Sequence, residues 1–216
     1  AWPFVLAEKL GIEGVETEAQ RGVSNAYIVR NTITNLSVKI AEGEKIDFVA
    51  IGMTAPNRKE HFHEKKNLLI HNIPSHEYHG NINLSDKENK DLDVFNKLYM
   101  QYFWSPLYDF HNYLIQMMQL QNFFVANKLP YIIFNSLNLT PNLLEPTKFT
   151  ELCEQSDMMP VYKQLDMSKI YENQTFFTYM YDLKKFYPVE GDERYMHPNE
   201  EAHAEWAEIL YQDINK

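Results

Sequence analysis

Apolar positions recur along this chain in two rhythms, and the alternation between them predicts the elements. Trp2 to Leu10 has the spacing of a short amphipathic helix, with Pro3 in its first turn and Gly11 as its stop. A brief strand is expected around Gly14 to Ala19. Ser24 can cap a second helix that runs to about Ala41, presents Tyr27, Ile28, Leu36 and Ile40 on one face, and ends at Gly43. Lys45 to Met53 and Pro130 to Asn135 are runs of strand length rich in apolar residues, the pattern of strands buried on both faces of a parallel sheet. Between them, residues 57–86 form a polar, histidine-rich excursion. Helical spacing follows from about Asp91 to Lys128, broken at Ser105-Pro106. A short helix is expected near Pro160 to Leu165, and Phe176 to Tyr181 is an aromatic run. A last helix, with Ala202, Trp206, Ile209 and Leu210 inward, is expected to start at Pro198.

Helices alternating with buried strands imply an α/β fold with a mostly parallel sheet, in one domain over residues 1–216. Sites in such sheets form beyond the carboxyl ends of the strands. The turns at Gly22 to Asn25, Thr54 to Glu60 and after Asn135 qualify, and the loop that carries His197 can join them.

Composition narrows the function classes. A formal charge of −10 gives the chain no electrostatic reason to seek nucleic acid. No apolar stretch approaches the roughly 20 residues of a membrane span. The first eight residues lack the basic start and long apolar core of a signal peptide. The chain opens on Ala1, which fits either initiator removal or a missing upstream piece. One cysteine, Cys153, excludes an internal disulfide framework.

The residues that bear chemistry each have two readings. His197, followed by Pro198, reads as a helix-mouth histidine, either a cap or a general base held over a crevice. Asp192 or Glu193 can orient such a base, or simply solvate the loop. Gly22 allows close backbone approach, and Asn25 offers an amide to an oxyanion, unless the turn is a plain capped helix start. Ser24 reads as the cap, with nucleophile as its alternative. Thr54 and Asn57 are polar donors at the end of a strand, and Arg58 with Glu60 suggests a loop-fixing ion pair or an anion contact. His61, His63, His71, His76 and His79 crowd one segment without a recognised ligand spacing, so no metal and no cofactor is expected. Tyr99, Phe103, Leu107, Tyr113, Met117 and Phe124 recur at helical spacing and read as core.

Taken in order, several of these segments resemble the SGNH (GDSL-type) hydrolases, particularly the small SGNH-like proteins met in bacteriophage genomes. The segments are Trp2-Pro3 with Leu6 to Gly11, Gly22 to Asn25 with Ile28 and Arg30, Ile51 to Glu60, and His197 to His203. The resemblance implies a three-layer α/β/α sandwich with a flavodoxin-like sheet, and hydrolysis of acyl or acetyl esters on small molecules or glycans. It makes His197 the base and Gly22 an oxyanion donor. It also puts Thr54 where the family has asparagine and Arg194 where the family has the base's aspartate, so Asp192 or Glu193 would substitute. The family's Gly-Asp-Ser block precedes the part matched by Trp2-Pro3. Either the nucleophile and first strand lie upstream, or the serine is lost and the domain is a binding or phage structural module. Phe176 to Leu183, or a partner chain such as a second copy in a homo-oligomer, is the expected substitute for that strand.

Overall fold

A computed structural model describes residues 1–19, 22–66, 68–72, 84–137, 153–154, 157–171, 173–187 and 197–216. The helices are α1 (Trp2–Leu10), α2 (Asn25–Ala41), α3 (Asp86–Tyr102), α4 (Pro106–Ala126), α5 (Met159–Tyr162), α6 (Phe176–Asp182) and α7 (Glu200–Ile214). The strands are β1 (Val49–Met53), β2 (Lys59–His63), β3 (Leu68–Asn72), β4 (Tyr131–Asn135), β5 (Ile170–Tyr171), β6 (Phe186–Tyr187) and β7 (His197–Pro198). The architecture is mixed α/β. Its main sheet is parallel, in the order β1-β4-β5, with Val49 opposite Tyr131 and Ile133 opposite Ile170.

Every residue of β4 is buried, as its unbroken apolar run requires of a central strand. Its side chains divide between two cores. Tyr131 and Ile133 join Val49, Ile51 and Met53 against Val29 of α2 and Phe110, Tyr113, Leu114, Met117, Leu120 and Phe124 of α4. Ile132 and Phe134 join Leu6 of α1, Phe176 and Met180 of α6, and Ala202, Trp206, Ala207 and Leu210 of α7. Trp206 is fully buried, and the rings of Phe176, Phe134, Tyr171 and Tyr179 stand 5.1–5.8 Å from it. Gly52 lets β1 and β4 keep this spacing: a Cβ there would stand 2.3 Å from Ser136 Oγ and 3.0 Å from the Phe134 ring.

Capping chemistry explains several boundaries. Ser24 Oγ accepts from the Tyr27 N–H at 3.1 Å and opens α2 as expected. Gly43, at φ +79°, and Glu44 donate back to Ile40 and Lys39 and close it. Ser85 and Glu88 form a reciprocal capping box, so α3 begins at Asp86, ahead of the expected Asp91.

Other expectations are corrected. Residues 14–19 form no strand. Strand β1 begins at Val49, after an exposed lead-in in which Lys45 pairs with Asp47. The polar excursion contains an antiparallel hairpin, β2 with β3, in which Lys59 faces Asn72 and His63 faces Leu68. The helix near Pro160 spans only Met159–Tyr162. Phe176 to Leu183 does not supply a sheet strand. It is helix α6, since Thr175 and Thr178 form a capping box and helical spacing buries Phe176 and Met180 while leaving Phe177 and Tyr181 outward. Phe103, expected in the core, is 72% exposed just past the end of α3. Among the described residues no helix is long and apolar enough to cross a membrane.

Candidate functional site

The carboxyl ends of β1 and β4 bring together the turn that opens α2, the turn after β1, and Asn135-Ser136. Asn25 is the clamp. Its Nδ2 donates to the Thr54 carbonyl at 2.8 Å, and its Oδ1 accepts from the Thr54 N–H at 2.7 Å. Both residues are buried, so the N-terminus of α2 is held against the end of β1 by two hydrogen bonds shielded from water. The Asn25 carbonyl oxygen and one of its two amide N–H donors are therefore spent on the loop.

The rest of the turn follows from that clamp. Gly22 adopts φ +78°, which a side chain rarely tolerates, with open space where a Cβ would stand. Ser24 is 1% exposed and its oxygen is engaged as the cap. The N–H groups of Asn25 and Ala26, in the first turn of α2, find no partner among the described residues and lie at the positive end of a 17-residue helix. Thr54 is 5% exposed, and its Oγ1 is enclosed without a hydrogen-bond partner. A buried orphan hydroxyl is unusual enough to mark a place where a ligand or water belongs.

Around these donors the charges are sorted in pairs. Turn residues 55–58 close with the Arg58 N–H on the Ala55 carbonyl at 3.1 Å. Glu60 takes both terminal nitrogens of Arg30, from α2, at 2.5 and 3.1 Å. That hydrogen bond and charge raise the Arg30 pKa. Asp109 of α4, 4% exposed at its side chain, takes Lys59. Arg58 is left over: its Nε is shut off from solvent without a partner, and burial alone lowers its pKa. The ion pair expected between Arg58 and Glu60 does not form, because Glu60 reaches α2 instead.

His197 stands two residues before the cap of α7 rather than at it. Asn199, not His197, caps α7, accepting from the Ala202 N–H at 2.8 Å. His197-Pro198 is a two-residue strand paired antiparallel with β6, Tyr187 opposite His197. Pro198 precedes the cap, and the asparagine side chain captures the helix start. Asp192, Glu193, Arg194, His76 and His79 lie outside the described residues. His203, not singled out by the sequence, sits in the first turn of α7: its Nδ1 accepts from the Trp2 N–H at 3.3 Å and its ring tilts on Phe176 at 5.3 Å. Burial, with the nearby amino group of Ala1, lowers its pKa. Among the described residues no group of three or more His, Cys, Asp or Glu is placed to hold a metal ion.

Fold and site together define an α/β domain with hydrogen-bond donors gathered at the carboxyl edge of a parallel sheet. The chain belongs to a family of unknown function, DUF6071, whose model matches residues 1–214. No curated protein and no solved structure matches it.

Proposed function

We propose that this protein is an SGNH-type domain, a three-layer sandwich in the sense of that family, whose crevice receives the carbonyl oxygen of an acyl or acetyl ester. The observation that carries the reading is the clamp of Asn25 on Thr54. It fixes unpaired N–H groups and an orphan hydroxyl at one strand end, and fixed donors aimed at a developing oxyanion are the main electrostatic aid to acyl transfer. Gly22 and Thr54 then act as oxyanion donors, and His197, oriented by Asp192 or Glu193, as the base. Hydrolysis in this reading needs a serine nucleophile that His197 can deprotonate.

A second reading is favoured by Ser24. Ser24, one of the serines at this strand end, is committed to capping α2 and is enclosed, and in this reading the domain binds an ester without cleaving it. A fluorophosphonate probe and turnover of p-nitrophenyl acetate separate the two. Labelling of a serine with turnover supports the esterase. Saturable binding of an acetylated ligand with neither labelling nor turnover supports the binding module. If neither labelling, turnover nor binding occurs, the crevice has been misread.

A further inference from the structure

We propose that Arg58 anchors an oxyanion, a carboxylate or phosphate group carried by the ligand, at the carboxyl end of β1 beside Thr54. The proposal goes beyond ester chemistry and does not depend on it. Its first ground is the local charge balance. Three cations, Arg30, Arg58 and Lys59, meet two carboxylates, Glu60 and Asp109; Glu60 pairs with Arg30 and Asp109 Oδ1 with Lys59, while Asp109 Oδ2 is enclosed without a hydrogen-bond partner. Arg58 meets no carboxylate among the described residues.

The second ground is burial. An exposed arginine needs no partner, because water solvates it. Arg58 is only part-exposed, and its Nε is closed off from water. A guanidinium does not relieve this by losing its proton, since it stays charged at any physiological pH. Its desolvation is therefore offset only by an anion or by water brought to it.

The third ground is independent of Arg58. The strand end from which the Arg58 turn leaves carries donors left over: the orphan hydroxyl of Thr54 and, across the Asn25 clamp, the Asn25 and Ala26 N–H groups at the positive end of α2. These groups donate or carry positive character, and the unpartnered acceptor of the charge group, Asp109 Oδ2, is on α4. Such a set fits a ligand that only accepts and is negatively charged. The overall charge of −10 repels anions at long range, so the site captures its ligand by contact rather than by steering.

Calorimetric titration of the full chain with sodium phosphate and with sodium acetate, at constant ionic strength, tests this. At least one anion should bind saturably and raise Tm with concentration. Preference for phosphate assigns a phosphorylated ligand, and preference for acetate a carboxylated one. Arg58→Met should weaken binding about tenfold or more, the worth of a charge-assisted hydrogen bond. Arg58→Lys, which keeps the charge but loses the fork, should weaken it less, and it carries the test if the methionine variant does not fold. Thr54→Val should weaken it several-fold, and Lys45→Met should leave it unchanged. Without anion, Arg58→Met should melt at or above the wild-type temperature, because an unpaired buried charge has been removed. No saturable binding of either anion, equal binding by wild type and Arg58→Met, or a clear drop in the anion-free Tm of Arg58→Met would each overturn the proposal.

Discussion

Replacing Asn25 by alanine isolates the clamp on which the candidate site depends. The substitution removes two buried hydrogen bonds, at 2.8 and 2.7 Å, that join residues 29 apart in sequence. It strands the Thr54 carbonyl and N–H, in a residue only 5% exposed. Each stranded group costs about 1–3 kcal/mol, so the pair should cost about 2–4 kcal/mol once water partly enters the space left by the amide. In a chain of this length that lowers Tm by roughly 5–15 °C. Urea unfolding followed by tryptophan fluorescence should show a lower midpoint at an unchanged slope. Asn25→Asp refines the test. Ionised, it still accepts from the Thr54 N–H but turns a carboxylate oxygen on the Thr54 carbonyl, so it should be destabilised at neutral pH. Protonated, it can donate again. The carboxyl pKa is then raised in the folded state, and the deficit against wild type should shrink as pH falls through it. A loss below about 0.5 kcal/mol for Asn25→Ala, well under the cost of even one stranded group, would refute the clamp.

The remaining predictions concern buried groups on either side of the sheet. Lys59→Met should cost about 3–5 kcal/mol by leaving the Asp109 charge buried alone, and Lys59→Met with Asp109→Leu should recover most of it; denaturant titration of the single and double variants reads both. Trp206→Ala should cost about 3–5 kcal/mol by emptying the centre of the aromatic cluster. Trp206→Phe should cost far less in the same titration, because it also deletes an indole N–H that has no partner. His203 is held below its ordinary pKa of 6.5, chiefly by burial, so the unfolded chain binds the extra proton first. Its contribution to stability is present above pH 6.5 and is lost as pH falls through the lower folded value; His203→Gln should flatten the pH dependence of the unfolding free energy in that window, and an unchanged slope would count against it.

What the sequence discloses here depends on the range of the interaction that decides each feature. Strands β1 and β4, helix α2 with its Ser24 cap, and the break at Ser105-Pro106 rest on local patterns, and the structure follows them. Local reading fails where a competing local device is stronger, as at α6. There Phe176 to Tyr181 has the composition of a strand, but the Thr175–Thr178 box starts a helix that buries two of its residues. It fails again at β2 and β3, whose His, Lys and Glu residues hide a hairpin because pairing, not hydrophobicity, defines it. The site is hardest to read, since its electrostatics are settled across the fold. Arg58 and Glu60 are two apart and invite pairing, yet Glu60 is taken by Arg30 from a helix 30 residues earlier. A bidentate guanidinium–carboxylate fork holds both oxygens of Glu60 toward α2, away from an arginine two residues earlier in its own strand lead-in. The same long-range choice that makes Arg58 illegible in the sequence is what leaves it, part-buried, without a carboxylate among the described residues.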